Sequence, residues 1–133
     1  MFQKLLTPID MRHKAESEKA IRAGAWLARA TGAQYHFLTV QPPLGPHLSD
    51  MPEDREAAFT QFAAEQAAAH GVDIVPVFRS HESPSRVIPR VGEELGIDLI
   101  VMASHDPRFS DHIFASNASQ TALHAHCSVM VVR

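Results

Sequence analysis

The stretch Pro84-Ser85-Arg86-Val87-Ile88-Pro89-Arg90-Val91-Gly92-Glu93-Glu94-Leu95-Gly96-Ile97-Asp98-Leu99-Ile100-Val101-Met102-Ala103 decides the fold. Ser83, just before it, is a residue type that caps helix N-termini, and Pro84 suits the first helical position, where an amide N–H has no intrahelical partner to lose. Together they predict a helix over 84–95, closed by Gly96 in the left-handed cap that glycine favours. The run Leu99–Ala103 is short and wholly apolar, as a parallel strand covered on both faces must be. A capped helix followed by a glycine and a buried strand is half of a βαβ unit.

The same pattern repeats outward along the chain. Strands are predicted over Lys4–Ile9, Gln34–Val40, Asp73–Phe78 and Ser128–Val132, with helices at about Ala15–Ala30, Glu53–His70 and Asn117–Ala125. Gly32 and Gly71 each follow a predicted helix, as Gly96 does. In the first helix Ala20, Ala23, Leu27 and Ala30 fall at spacings of three and four, with Trp26 flanking the stripe and expected to pack on the sheet. In the second, Phe59, Phe62, Ala63 and Ala67 share a face, and the alanine content favours helix. Pro76 lacks the N–H that a central ladder needs, so its strand belongs at an edge. Gln41–Asp50, with Pro42, Pro43, Gly45 and Pro46, is expected to be a surface loop and flap. The class is therefore α/β, built on a five-stranded parallel sheet.

Composition sets the outer bounds. The 133 residues make one domain, 1–133, large enough for a genuine core. Apolar residues are 45% and charged residues 20%, close to globular averages. No apolar run reaches the roughly 18 residues that span a bilayer. Met1–Pro8 lacks the apolar core and cleavage site of a signal peptide, so a cytoplasmic location is expected. The lone Cys127 reads as a small hydrophobe beside the last strand, with no internal disulfide to make. A formal charge of −3 with no basic block disfavours nucleic acid and anionic lipid as partners.

Ligands of open parallel sheets bind beyond the carboxyl ends of the strands, where strand order reverses. If the first and fourth strands are neighbours, Asp10–Lys14 faces Ser104–Phe114 across one crevice. The polar chemistry concentrates there: Asp10, Arg12 and His13 on one side, and Ser104, His105, Asp106, Arg108, Ser110, Asp111 and His112 on the other. The last helix opens at Ala115-Ser116-Asn117-Ala118-Ser119-Gln120, where Ser116 or Asn117 serves as cap and Gln120 can reach back. Such a terminus is either a well-capped helix or an anion site.

Three stretches resemble the universal stress proteins: Thr7-Pro8-Ile9-Asp10, Phe37-Leu38-Thr39-Val40, and the tail from Ile100 to Arg133. The tail, with Val101-Met102-Ala103-Ser104-His105, then Ala115-Ser116-Asn117-Ala118-Ser119, then His126-Cys127-Ser128-Val129-Met130-Val131-Val132-Arg133, is similar to the small single-domain bacterial subgroup carrying a Gly-Ser-Asn-Ala stretch. The resemblance implies a sheet of order 3-2-1-4-5 with helices on both faces, the adenine nucleotide alpha hydrolase-like fold. It implies a homodimer through Ser128, Val129, Met130, Val131 and Val132, and an ATP site at the switch point. In that site Pro8 and Asp10 close the first strand, with Asp10 toward the ribose or adenine edge, and Val40 offers backbone to adenine. Ala103, Ser104, His105 and Arg108 lie near ribose and phosphates, and Ala115, Ser116 and Asn117 near the phosphates.

The chain departs from the ATP-binding pattern of a glycine, two residues, a second glycine, about nine residues and a Gly-Ser or Gly-Thr pair. It carries Ala103, Asp106 and Ala115-Ser116 there, and no glycine follows Gly96. Asp106 and Asp111 set carboxylates near phosphate charge, so magnesium is expected to accompany the nucleotide. The histidine groups His124-Ala125-His126 and His105 with His112 lack a zinc spacing. No phosphate loop, nucleophile elbow or His-Glu-x-x-His occurs, and the adjacent His105 and Asp106 support at most slow hydrolysis. Three readings stay open: a dimeric nucleotide sensor, an interaction module with a closed cleft, and a slow ATP hydrolase.

Overall fold

The computed structural model describes residues 1–42, 52–81, 83–104 and 112–133, with backbone alone for 52, 53 and 112–117. The elements run β1 (Lys4–Pro8), a 3₁₀ stretch (Met11–Ser17), α1 (Glu18–Thr31), β2 (Gln34–Gln41), α2 (Pro52–His70), β3 (Ile74–Ser80), α3 (Pro84–Leu95), β4 (Leu99–Ala103), α4 (His112–His124) and β5 (Ser128–Val132). The five strands form one parallel sheet in the order β3-β2-β1-β4-β5.

Successive residues of a strand face opposite sides, so the central strands feed two cores. Leu5, Tyr35, Phe37 and Val101 join Ile21, Ala25 and Phe59 beneath α1 and α2. Leu6, Leu38, Ile100 and Met102 join Val87, Ile88 and Val91 of α3, with Ala118 of α4. Double coverage explains why β1, β2 and β4 are nearly continuous apolar runs. Thr7, His36 and Thr39 are the buried polar exceptions, and His36 Nδ1 lies 3.1 Å from the Leu5 carbonyl. Burial, with Lys4 as a further cause, holds its imidazole below the ordinary histidine range, the Leu5 bond opposing.

Pro76 pairs with Phe37 on β3, an edge strand, as its missing N–H requires. At the amino end of the sheet the Asp98 carboxylate accepts from the amides of Gln3 (2.7 Å) and Lys4 (3.2 Å), fixing the start of β1 beside β4. Gly96 holds a φ of 68° and closes α3. Cys127 is half-buried against the α3 and α4 side, and burial, followed by the Asp98 charge, raises its thiol pKa.

Four expectations are corrected. The α-helical geometry of the first helix begins at Glu18, because Met11–Ser17 forms a 3₁₀ stretch kinked at His13 (φ −136°, ψ 50°) and capped by Asp10. Its buried stripe is Ala20, Ile21, Gly24, Ala25 and Ala28, and Ala30 is exposed. Trp26 is 61% exposed instead of packing on the sheet, since two residues beyond Gly24 is about 200° around the helix. The last helix begins at His112, five residues before Asn117. No Pro or Gly interrupts 112–117, and Asp111 is a residue type favoured immediately before a helix. The flap expected over Gln41–Asp50 lies, from Pro43 onward, outside the described residues.

Candidate functional site

Sheet order reverses between β1 and β4, and the carboxyl ends of those strands open into a cleft. Its walls are Pro8, Ile9, Asp10, Arg12 and Ser17 from the β1 end and the turn after it, Leu38 and Val40 from β2, Pro84 and Ile88 from α3, and Met102 and Ala103 from β4. The β1 end is held in place by backbone: the Ile9 N–H donates to Leu38 O (2.7 Å), and Thr39 Oγ1 donates to Ile9 O (2.9 Å). At the other wall Ser83 N–H donates to His81 Nδ1 (2.9 Å), setting the turn that presents Pro84.

Leu38, Ile88 and Met102 make an apolar floor, all but inaccessible to solvent. Asp10 and Arg12 stand at the rim. Asp10 Oδ1 accepts the Arg12 amide (2.9 Å) and Nε–H (3.3 Å), and Oδ2 accepts Nη2–H (3.3 Å). The Asp10 side chain is 15% exposed and that of Arg12 70%, so the guanidinium lies as an outer cover on the carboxylate. Ser17, at the head of α1, is 2% exposed and its hydroxyl makes no cap bond. The described walls enclose about 60 Å³, against the roughly 300 Å³ at which pockets for drug-sized ligands begin.

Of the residues singled out from sequence, the cleft gathers Pro8, Asp10, Arg12, Val40 and Ala103, and His13 is not among its walls. Ser104 lies one residue beyond, half-buried, with its amide donating to Val132 O (2.8 Å). His105, Asp106, Arg108, Ser110 and Asp111 lie outside the described residues. Ala115, Ser116 and Asn117 fall within α4 and not before it. In a helix starting at His112 the amides of Ser116 and Asn117 turn toward the carbonyls of His112 and Ile113, and the free amides belong to the first turn. The N-terminal cap at Ser116 or Asn117 is thus replaced by a start one turn earlier. Among the described residues no three His, Cys, Asp or Glu side chains converge as metal ligands, and His126 sits 3.9 Å from Glu93.

Sequence reasoning missed Ile9, Ser17, Leu38, Pro84, Ile88 and Met102 as walls. The signal was present for Pro84: in an open α/β sheet the amino end of every helix follows the carboxyl end of a strand, so the turn after β3 reaches the same rim. Ser17 carried no such signal, because its burial depends on the 3₁₀ turn folding back over the cleft.

Comparison with known proteins agrees with this architecture. The sequence profile of the universal stress protein family matches residues 1–133. Universal stress protein G of Salmonella typhimurium is 31% identical over 147 aligned positions, covering all of both chains. A universal stress protein solved in complex with cAMP superposes with a TM-score of 0.78 at 17% identity, over 99% of this chain and 97% of that one. The Archaeoglobus fulgidus universal stress protein in complex with dAMP gives 0.70 at 18% identity, over 99% and 98%. At such identities the structural likeness speaks for the fold, while the profile and the Salmonella relative carry descent: the chain belongs to the universal stress protein family.

Proposed function

We propose that this protein is an adenine-nucleotide-binding regulatory module of the stress response, a cytoplasmic homodimer that takes ATP with magnesium in the β1/β4 cleft. The observation that carries the reading is the pairing of an apolar slot, floored by Leu38, Ile88 and Met102, with one carboxylate, Asp10, at its rim. A slot of this kind suits a flat heteroaromatic base, and a carboxylate accepts from ribose hydroxyls. Two structural neighbours were solved with adenine nucleotides, cAMP and dAMP. Ser116, Asn117, His105 and Arg108 remain the candidates for the phosphate side, and Asp106 and Asp111 for the vicinity of magnesium. No helix among the described residues is long and apolar enough to cross a membrane.

Isothermal titration of ATP with and without magnesium, beside Asp10→Ala, tests the reading. Saturable, magnesium-assisted binding is expected, weakened at least about tenfold in the variant through loss of a charged acceptor. No heat and no thermal shift at millimolar ATP would leave a dimeric interaction module with a closed cleft. Turnover abolished by Asp10→Ala with binding retained would instead make the protein a hydrolase.

The dimer reading rests on the two sheet edges. Pro76 interrupts β3, whereas β5 carries no proline, and Met130 and Val131 are 39% and 44% exposed on it. Ser128 N–H and Val132 C=O turn toward the β4 side. Alternation therefore leaves the backbone of Val129 and Val131 facing outward, an edge that a second copy covers about a two-fold axis. Light scattering at micromolar concentration is expected to give twice the chain mass, and Val131→Lys to shift it toward the monomer. A monomeric wild type overturns this part of the reading.

A further inference from the structure

We propose that Arg12 makes the cleft selective for phosphorylated nucleosides over free nucleosides, by leaving the Asp10 carboxylate for the ligand's phosphate. The inference rests on the nucleotide reading above and concerns the charge that the same site requires. An ionised carboxylate offers about four acceptor positions. Arg12 occupies three of them: its amide and Nε–H fill Oδ1, and Nη2–H takes one position on Oδ2. Asp10 and Arg12 both line the cleft, and the carboxylate beside the guanidinium is only 15% exposed. A ribose presents two hydroxyl donors, and among the described residues the Arg12 contacts leave one acceptor position on Asp10. Full engagement of the diol therefore displaces the guanidinium.

What Arg12 does next decides affinity. An ion pair this exposed contributes little in water, so it opens readily. The five N–H donors of the released guanidinium match a phosphate in a bidentate way, whereas the pair given up is held by two side-chain contacts of 3.3 Å each. Adenosine supplies no such acceptor and leaves the side chain to solvent. Among the described residues lining the cleft Arg12 is the single cation and Asp10 the single anion, so the charge balance of this part of the site passes through the pair. Lys14, the nearest other cation in sequence, stands 5.6 Å from the centre of the Phe62 ring, in the groove between the 3₁₀ stretch and α2. Arg12 is also a wall of the 60 Å³ cavity, so its departure widens the mouth that a nucleotide must pass.

The test is titration of AMP and of adenosine into the full chain, wild type, Arg12→Gln and Arg22→Gln, at one low ionic strength. Arg22 is exposed and pairs with Glu18 on α1, remote from the cleft walls, and serves as the charge-matched control. Wild type and Arg22→Gln are expected to bind AMP about tenfold more tightly than adenosine, the scale of one charge-assisted contact, and Arg12→Gln to bring that ratio to about one. The Nε–Hε resonance of Arg12 should move on adding AMP and return toward that of a solvated arginine with adenosine. An AMP to adenosine ratio that is unchanged in Arg12→Gln, or absent in wild type, overturns the role of Arg12 while leaving the nucleotide site standing. Failure of wild type to bind either ligand overturns both.

Discussion

Gly24→Ala is expected to destabilise the fold by about 3 kcal/mol, the sum of overpacking a tight core and weakening one buried hydrogen bond. A Cβ built on Gly24 stands 2.3 Å from Tyr35 Oη and 2.5 Å from its Cζ, distances that no real contact tolerates. A long flexible side chain would swing aside, but Tyr35 is 1% exposed, makes an edge-on contact with Phe37 at 5.3 Å, and shares a 2.7 Å hydrogen bond with Thr7. Burial has already pushed its phenol above the ordinary range, the Thr7 bond opposing, so the hydroxyl stays protonated at any pH of interest. The alternative is for α1 to lift off β2, which loosens Ile21 and Ala25 as well. Urea denaturation measures the loss, and Gly24→Ala combined with Tyr35→Leu should recover part of it as coupling between neighbours. A Gly24→Ala protein within about 0.5 kcal/mol of wild type would mean that this close approach is relaxed in solution.

That contact also shows why the face of α1 was harder to read than its existence. Alanines occur all around the helix, so Ala20, Ala23, Leu27 and Ala30 make as regular a stripe as the true one. The choice is made by Gly24 and Tyr35, partners 11 positions apart, numbers that follow from the register of β2 beneath α1. Tertiary fit, not periodicity, placed Trp26 outside. By contrast, α3, β4 and β5 keep their predicted bounds because each carries local punctuation: Ser83-Pro84 at one helix end, Gly96 at the other, and short apolar runs between breakers. The start of α4 had no such mark except Asp111, whose signal competed with the more conspicuous Ser116-Asn117 pair. The edge position of β3 was legible from Pro76 alone.

The site divides in the same way. Asp10 was legible because it follows the first strand and ligands meet the carboxyl edge of a parallel sheet, whereas Val40 and the strand order came only from the resemblance. The Arg12 cover on Asp10 was not legible: it requires the 3₁₀ turn, in which the amide two residues on points back at the cap carboxylate. A solvated loop charge was the favoured reading of an arginine in that loop, and the geometry of the cap sets it beside the cleft.

Phe59→Ala should have the largest effect on stability, a loss of about 4 kcal/mol, within the range for deleting a buried phenylalanine. Phe59 is 0% exposed and, with Ala63, is what α2 buries among its residues with described side chains; Phe62 is half-buried beside Phe37 at 6.1 Å. Phe62, the other ring on this face, is only half-buried, so removing the Phe59 ring takes away the one large side chain that α2 buries fully among its residues with described side chains. Near its other end α2 is tied to the cleft: Arg55 donates through Nε to Gln41 Oε1 and through Nη1 to Pro42 O (3.1 Å), just beyond Val40. Undocking of α2 therefore reaches the strand end that borders the slot. Amide exchange is expected to accelerate first in residues 59–70 of Phe59→Ala while Leu5, Leu6, Ile100 and Val101 keep more of their protection, the behaviour of a helix that opens as its own unit. Uniform acceleration of helix and sheet amides would show instead that α2 unfolds only with the whole domain, and that its anchor stabilises the sheet as much as the helix.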